Sequence, residues 1–256
     1  MRDFRDAKAM AQTLRDALKA KSIPLTHSES LELVARTLGF QDWNVLSAAI
    51  QASESAAKPR KTSAVMPVAP MRDVVFFPQV MTSIFVGRDK TKRAIEAAMA
   101  GDRQLFVVTQ KRPGDDDPDF AALYSVGVVA DILERLEFSD GNWRVKVSCA
   151  GRAAIIRPHQ GDYLAADIAP IEETRAMTVE AFAQVREILD AYEGYTKAPT
   201  PAYLGLYRLE PGVFADIAVQ FLKVGIDKMQ EMLETSDVIT RLATILAWMK
   251  AGSSSA

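Results

Sequence analysis

The stretch that decides the fold spans residues 137–147 and reads E-F-S-D-G-N-W-R-V-K-V. Asp140 and Gly141 favour the positive φ angles of a tight turn, and apolar residues alternate with cations after them. This pattern predicts a β-hairpin. Runs of β-branched and aromatic residues on both sides of it predict strands at 74–77, 84–86, 105–109, 126–132, 145–147 and 164–168.

One helix interrupts the predicted strands. Asp89 is expected to cap it, the segment T-K-R-A-I-E-A-A-M-A forms its body, and Gly101 ends it. Residues 65–172 are therefore predicted to form a β domain of an α+β protein, with a mostly antiparallel sheet that is curled or barrel-like.

A helical period of 3.6 residues follows the strands. Helices are predicted at 179–194, 201–208, 212–223, 227–234 and 237–250. We expect residues 173–250 to form a helical bundle, and residues 251–256 (A-G-S-S-S-A) to form a disordered tail.

The same helical period marks the first fifty residues. Apolar residues predict a helix over 3–20, Thr26 and Glu29 have the spacing of a capping box at the start of a second helix, and Asp42 is expected to cap a third. Residues 1–50 are thus predicted to form a small three-helix unit. Residues 51–64 are polar and rich in Ala and Ser, which is typical of a linker.

Composition narrows the class of protein. Of 256 residues, 48% are hydrophobic, which suffices for packed cores, and the single cysteine excludes an internal disulfide. The start M-R-D-F-R-D-A-K has no signal-peptide pattern and no apolar run reaches membrane-spanning length, which predicts a cytoplasmic protein. The net charge is +3 over residues 1–62, −1 over 63–170 and −4 over 171–256. No segment therefore has the strongly basic character of a nucleic-acid-binding module.

Catalytic motifs are missing from the sequence. It contains no G-x-x-x-x-G-K-[ST] loop for ATP hydrolysis and no G-x-S-x-G nucleophile elbow. Cys149 is expected to be a buried thiol, His159 a solvated turn residue, and the acidic run at 115–119 a mobile loop rather than a cation site. We therefore expect no catalytic residue, no metal and no cofactor.

Residues 67–88 read P-V-A-P-M-R-D-V-V-F-F-P-Q-V-M-T-S-I-F-V-G-R, and this segment resembles the amino-terminal domain of the Lon ATP-dependent protease family. The resemblance continues through V-V-T-Q-K, L-Y-S-V-G-V-V-A-D-I-L, G-R-A-A-I at 151–155 and D-K-M-Q-E-M-L-E-T-S-D-V-I-T-R-L at 227–242. It covers residues 65–250 and implies a PUA-like β domain followed by a helical bundle. Residues 3–50 resemble a small helical domain that is labelled glyoxalase-related.

The sequence departs from the family pattern at three positions. Met71 stands where leucine is usual, and Ser148 and Cys149 replace the Glu-Gly that usually precedes the arginine matched by Arg152. The resemblance implies the recognition part of the family without its ATPase and protease domains.

The resemblance favours a non-enzymatic module that binds unfolded or substrate polypeptides, or that regulates a protease, with a full-length Lon protease as a further partner. One alternative is a PUA-like RNA-binding protein, against which the net charge of the β region argues. Another is a glyoxalase-type metalloenzyme, for which two histidines supply few ligands. DNA binding is not expected, because residues 42–50 of a helix-turn-helix-like segment contain no cation, and no membrane partner is expected.

A partner site is predicted where a strand leads into the helix that starts near residue 89. Cations at a helix start oppose its macrodipole, so stability alone does not explain Lys90 and Arg93 there. We predict a contact rim of Arg88, Lys90 and Arg93, with the neighbouring aromatic residues Phe77 and Phe85 adding apolar contacts where they are exposed. The alternative is that these cations only solvate the surface.

Overall fold

The computed structural model describes residues 7–19, 25–37, 42–43, 46, 65–159, 161–174, 176–196 and 209–253. The chain divides into two compact units, Met1–Arg60 and Lys61–Ala256. The predicted linker at 51–64 and the predicted helix at 201–208 lie outside the described residues.

The first unit contains the helices α1 (Ala7–Lys19) and α2 (His27–Thr37). The predicted capping box is confirmed at the start of α2: the Thr26 N–H donates to Glu29 Oε2 at 2.9 Å, and the Glu29 N–H donates to Thr26 Oγ1 at 3.2 Å. Ala11 of α1 packs with Leu31 and Val34 of α2 in a small apolar core. Of the predicted third helix, only Asp42, Trp43 and Leu46 lie within the described residues, and Leu46 belongs to the same core.

The second unit is built on one mixed sheet. Its described strands are β1 (Val65–Met71), β2 (Met81–Val86), β3 (Gln104–Thr109), β4 (Val126–Glu137), β5 (Trp143–His159) and β6 (Ala165–Pro170). They lie in the order β2-β5-β4-β3-β1-β6, and a further pairing of β5 with β6 closes the sheet on itself. Among the described strands, only β1 and β3 pair in parallel. The predictions of an α+β fold and of a mostly antiparallel, curled sheet are confirmed.

The Asp-Gly hairpin is also present. β4 and β5 pair from Glu137 and Trp143 onward, and Gly141 has φ +80° in the turn between them. With its 17 residues, β5 is long enough to have two neighbours along one side: β2 pairs with its first half and β6 with its second. His159 is the last residue of β5, with its Nε2 3.2 Å from Asp167 Oδ2, so its prediction as a solvated turn residue is wrong.

The first strand differs from the prediction. Residues 74–77 do not form a strand, and β1 precedes them although it contains Pro67 and Pro70. These prolines are tolerated because β1 changes partner along its length, pairing with β6 over 65–67 and with β3 over 68–71. Segment 74–77 is held instead by single contacts, such as the hydrogen bond that Thr109 Oγ1 donates to the Val74 carbonyl at 2.7 Å.

The described helices of this unit are α3 (Asp89–Ala100), α4 (Val179–Thr196), α5 (Pro211–Ala218), α6 (Ile226–Glu234) and α7 (Val238–Ser253). Asp89 is the first residue of α3 rather than its cap; the N-cap position is Arg88, which makes no side-chain capping bond. The segment predicted as one helix at 212–223 divides into α5 and the 3₁₀ turn Val219–Phe221. Helix α7 continues to Ser253, so residues 251–253 are not the disordered tail that was expected. No helix in the described ranges is long and apolar enough to cross a membrane.

One apolar core joins the sheet to the helices. Val145 and Val147 of β5 belong to the same buried cluster as Ile188 of α4 and Leu242 of α7. Cys149 lies in this cluster, which confirms its prediction as a buried thiol, and burial raises its pKa to about 12. Because the thiolate is the nucleophilic form, a thiol with so high a pKa has little nucleophilic character.

A group of four charged residues, three of them buried and Glu173 30% exposed, ties the sheet to the helices. Arg152 of β5 donates through Nη1 and Nη2 to both carboxylate oxygens of Asp216 in α5, at 2.9 and 2.5 Å. Glu173 bridges Arg152 and Arg241 of α7, accepting from Arg241 Nη2 at 3.0 Å. The side chains of Arg152 and Arg241 are fully buried and that of Asp216 is 3% exposed. We call these four residues the buried ion network.

The geometry of the buried ion network makes it a structural joint. Arg152 also donates Nε to the Leu233 carbonyl at 2.9 Å, so a single side chain holds residues of β5, α5 and α6 together. Burial raises the pKa of the Asp216 carboxyl, and the hydrogen bonds from Arg152 oppose that rise. Removing one member would leave charged partners buried, which costs far more than losing a surface pair.

Candidate binding surfaces

The predicted cations Arg88, Lys90 and Arg93 lie at the start of α3, and each is held by the protein itself. Arg88 Nη2 donates to Gln110 Oε1 at 2.9 Å, and Arg93 Nε donates to the Asp162 carbonyl at 2.8 Å. Partial burial lowers the pKa of Arg88. These contacts give the cations a structural reason to stand at a helix start, which the macrodipole alone would disfavour.

Residues 113–119, the acidic loop, lie against this helix start. Lys90 Nζ donates to Asp117 Oδ2 at 2.7 Å, and Arg72 Nη2 donates to Asp116 Oδ1 at 2.5 Å. The Arg72 guanidinium lowers the pKa of the Asp116 carboxyl. The acidic run is a solvent-exposed loop, as predicted, and two of its carboxylates make exposed ion pairs with Lys90 and Arg72. No cluster of metal-ligating side chains occurs in the described parts of the chain.

A cavity of about 310 Å³ opens between the helix start and the acidic loop. Its lining combines apolar side chains of the sheet region with charges of both signs: Val68, Pro70, Arg88, Asp89, Lys90, Thr91, Arg93, Asp116, Asp117, Pro118 and Leu164. The three cations are balanced by three carboxylates in this lining. The cavity therefore has no net charge that would select an anion.

The two aromatic residues of the predicted site have opposite environments. Phe77 is 0% exposed and belongs to the main core, so it is unavailable to a partner and its prediction as a contact residue is wrong. Phe77 directly precedes Pro78, and its side chain packs in the interior of the protein. Phe85 is 73% exposed. Its side chain lies on the outward face of β2, because neighbouring residues of a strand point to opposite faces.

Phe85 is part of a wider exposed surface that sequence reasoning missed. Register places Phe85 beside Arg144 and Arg144 beside Leu136, and it places Ser83 beside Lys146 and Lys146 beside Glu134. Met81, 60% exposed, completes the row along β2. We call this surface the outer face; it comprises Met81, Ser83, Phe85, Glu134, Leu136, Arg144 and Lys146.

The outer face combines exposed apolar side chains with two cations and the Glu134 carboxylate. Met81, Phe85 and Leu136 are all among the exposed large hydrophobic residues; Ser83 lies between Met81 and Phe85 along β2, and Arg144 lies between Phe85 and Leu136. A signal for the site was present in the sequence: M-T-S-I-F-V carries apolar residues on both faces of one strand, whereas a half-buried strand needs them on one.

A closed mixed sheet followed by helices defines the second unit as an α+β domain. Residues 65–251 match the family of the ATP-dependent protease La (LON) substrate-binding domain. This match covers most of the chain, and the chain belongs to that family. The family resemblance of the sequence is thereby confirmed.

Relatives of known name agree with this assignment. Lon protease of Rhizobium meliloti is 36% identical over 198 residues, which are 75% of this chain and 25% of that protein. Lon protease of Azospirillum brasilense is 35% identical over 193 residues, 73% of this chain and 24% of that protein. The chain thus spans about a quarter of the length of these relatives.

Solved structures show the same fold. The N-terminal domain of Mycobacterium avium complex Lon protease superposes with a TM-score of 0.60 at 24% identity, covering 73% of this chain and 98% of that one. A Lon N-terminal domain protein from Xanthomonas campestris gives a TM-score of 0.55 at 13% identity, with 73% of this chain and 99% of that one covered. Residues 1–67 are similar to a second family model, described as a glyoxalase superfamily protein.

Proposed function

We propose that this chain is a non-enzymatic module that binds unfolded segments of client polypeptides through its Lon-type domain. The observation that carries the proposal is the outer face, where Met81, Phe85 and Leu136 remain exposed on a domain of the Lon substrate-binding family. Unfolded chains expose apolar side chains that folded proteins bury, so an exposed apolar surface distinguishes the two states of a client.

The cations of the outer face add a second element of recognition. Arg144 and Lys146 are exposed residues of β5, and Arg144 lies beside Phe85 of β2. Long basic side chains have apolar stems, so they extend the contact area while they attract acidic residues of a client. We expect clients with apolar and acidic residues interspersed to bind more tightly than basic ones.

Arg88, Lys90 and Arg93 are proposed as a secondary rim. Each makes a contact within the protein, so a client would have to compete with Gln110, Asp117 or the Asp162 carbonyl for them. The proposed location is the cytoplasm, with a full-length Lon protease as a further partner and no ATPase or peptidase activity in the chain itself.

Binding to fluorescein-labelled α-lactalbumin, kept unfolded by reduction and carboxymethylation, tests the proposal. Fluorescence anisotropy is expected to report saturable binding by the full chain, and a Phe85→Ser/Leu136→Ser variant should weaken it at least tenfold. Ile156→Ser is the matched control, because Ile156 is exposed on the second half of β5, away from the outer face. Equal affinity of the double variant and the control, with unchanged melting temperatures, would refute the proposed surface.

A charge-reversal arm tests the rim. Lys90→Glu with Arg93→Glu should reduce client binding less than the outer-face variant does. A larger effect from the charge reversal, without a loss of thermal stability, would place the main contact at the start of α3 instead.

A further inference from the structure

Strand β2 forms an open edge of the sheet. Among the described strands, β2 alone has a neighbour on only one side along its whole length; the other five have neighbours on both sides for at least part of theirs, although residues 134–137 of β4 pair with β5 alone. An unpaired edge presents free peptide N–H and C=O groups, which can pair with another strand.

The peptide groups that face this open edge can be assigned. The Val80 carbonyl faces β5 and accepts from the Cys149 N–H at 2.8 Å, so Val80 and Cys149 occupy the position of a hydrogen-bonded pair. The Cys149 carbonyl accepts from the Gln79 N–H at 2.9 Å instead of from Val80, so the ladder is irregular just before β2 and regular from Met81 onward. Hydrogen-bonded pairs alternate with non-hydrogen-bonded pairs along antiparallel strands. The peptide groups of Met81, Ser83 and Phe85 therefore point away from β5, toward the open edge.

Nothing in the sequence of β2 blocks a strand from pairing there. Proteins usually protect an edge strand with a charge, a proline or a bulge. The strand M-T-S-I-F-V contains no charged residue and no proline, and its register with β5 runs without interruption from Met81 to Val86. The side chains of Met81, Ser83 and Phe85 are exposed as well.

We propose that β2 is a self-association site, at which two copies of this chain pair antiparallel through their β2 strands about a two-fold axis at Ser83. In this register Ser83 faces Ser83 of the second copy, and Met81 of each copy faces Phe85 of the other. All three residues offer their peptide groups to the open edge, so each facing pair exchanges two backbone hydrogen bonds. The small Ser83 side chain lies at the axis, where the two copies come closest.

Charge does not oppose this arrangement. The nearest cations in the central row are Lys146 of each copy, and two β2 strands separate them. Three strand spacings of ~4.8 Å place them roughly 14 Å apart, beyond the ~10 Å over which charges are screened at moderate salt. The row next to it pairs Phe85 with Met81 of the second copy, which buries two side chains that are 73% and 60% exposed in the single chain.

The expected dimer is weak. Two six-residue strands bury less than the ~1,200 Å² that is typical of stable interfaces, so association should depend on protein concentration. This inference goes beyond client binding and does not depend on it.

Sedimentation velocity of the full chain over a wide range of concentrations tests the proposal. We expect the average mass to rise from 28.1 kDa toward twice that value as concentration increases. Ser83→Pro should remain monomeric at every concentration, because proline removes the N–H that points to the open edge and leaves the pairing with β5 intact. Ser83→Ala retains the N–H and is the matched control, expected to associate like the wild type.

A charge exchange tests the register itself and does not rely on a proline variant folding. Met81→Lys/Phe85→Lys and Met81→Glu/Phe85→Glu chains should each be monomeric, because like charges would face each other in both rows. An equimolar mixture of the two should form a heterodimer, since every facing pair then has opposite charges.

A wild-type chain that stays monomeric at all concentrations would overturn the proposal, as would association of Ser83→Pro equal to that of Ser83→Ala. If the wild type stays monomeric while Ser83→Pro loses binding to unfolded α-lactalbumin, the edge accepts a client strand instead of a second copy. In that case the self-association site is refuted and the proposed function stands.

Discussion

The Lon-type unit contains two groups in which a cation is paired with a carboxylate, and the two groups differ in how deeply they are buried. Arg152 and Asp216 of the buried ion network are at most 3% exposed, whereas Lys90 and Asp117 at the acidic loop are 44% and 69% exposed. Distances are similar, 2.5 Å in one and 2.6 Å in the other. Burial rather than distance therefore decides how much each pair contributes to stability.

The difference also separates two roles. Buried charges with fixed partners hold β5, α5 and α7 in one arrangement, and they offer nothing to a ligand. Exposed charges such as Lys90 are held loosely enough for a partner to compete for them. Within one family domain, charged residues are thus fixed in the interior in one place and remain exposed to solvent in another.

The largest expected effect is that of Arg152→Ala. The substitution leaves the Asp216 carboxylate buried without its two hydrogen bonds, and breaking a buried pair in this way costs about 3–5 kcal/mol of unfolding free energy. Urea unfolding followed by circular dichroism measures it. Arg157→Ala on the same strand, whose side chain is 74% exposed, is the control and should change stability by less than about 1 kcal/mol.

If Arg152→Ala and Arg157→Ala unfolded at the same urea concentration, burial would not distinguish the two groups. A variant too unstable to purify would support the contrast, provided that Arg157→Ala purifies and unfolds like the wild type.

Asp237 provides an intermediate case at the margin of the buried ion network. It precedes α7, accepts from the Thr240 N–H at 2.8 Å, and also accepts from Thr174 Oγ1, next to Glu173 in the chain. Removing such a cap by Asp237→Ala should cost about 1 kcal/mol. The effect should fall between those of Arg152→Ala and Lys90→Ala in urea unfolding.

Asp237 also gives this stability a pH dependence. The hydrogen bonds from Thr240 lower the pKa of its carboxyl below the usual 3.8, so its stabilisation is complete above that value and is lost as the pH falls through the folded-state pKa. The difference in stability between wild type and Asp237→Ala should therefore shrink in acid. A constant difference down to the lowest pH would mean that the charge of Asp237 contributes nothing.

The smallest expected effect is that of Lys90→Ala. Exposed ion pairs contribute less than about 1 kcal/mol, and salt screens them. Thermal melts at low and high salt should show a small loss of stability at low salt that disappears at high salt. The loss caused by Arg152→Ala should persist at both, because Arg152 and Asp216 are buried and salt screens buried pairs much less than exposed ones; equal salt sensitivity would contradict the comparison.

The sequence allowed the local elements to be predicted better than the contacts between them. The Asp-Gly turn and the β-branched runs at 105–109 and 126–132 have strong local signals, and both became strands. β1 was missed because Pro67 and Pro70 are usual signs of a turn, and only its change of partner strand makes them acceptable. Residues 74–77 have strand composition without a strand to pair with.

The candidate sites likewise depend on contacts between distant residues. Phe77 and Phe85 have the same side chain on the two sides of Pro78, and only the closed sheet decides that one is buried and the other exposed. The partners of Arg152 lie 21, 64 and 81 residues further along the chain, so no local pattern could reveal them. Exposure of Met81 and Leu136 likewise depends on register between strands rather than on composition.

The residues of the buried ion network lie far apart in the sequence, so they are synthesised at different times. Arg152 leaves the ribosome 81 residues before Leu233, whose carbonyl it will bond, and synthesis at ~5–20 residues per second makes that interval several seconds long. During this interval the Arg152 side chain is still hydrated and lacks its final partners. Helix α7 follows Leu233 in the sequence and carries Arg241, so the buried ion network is complete only after α7 has been synthesised.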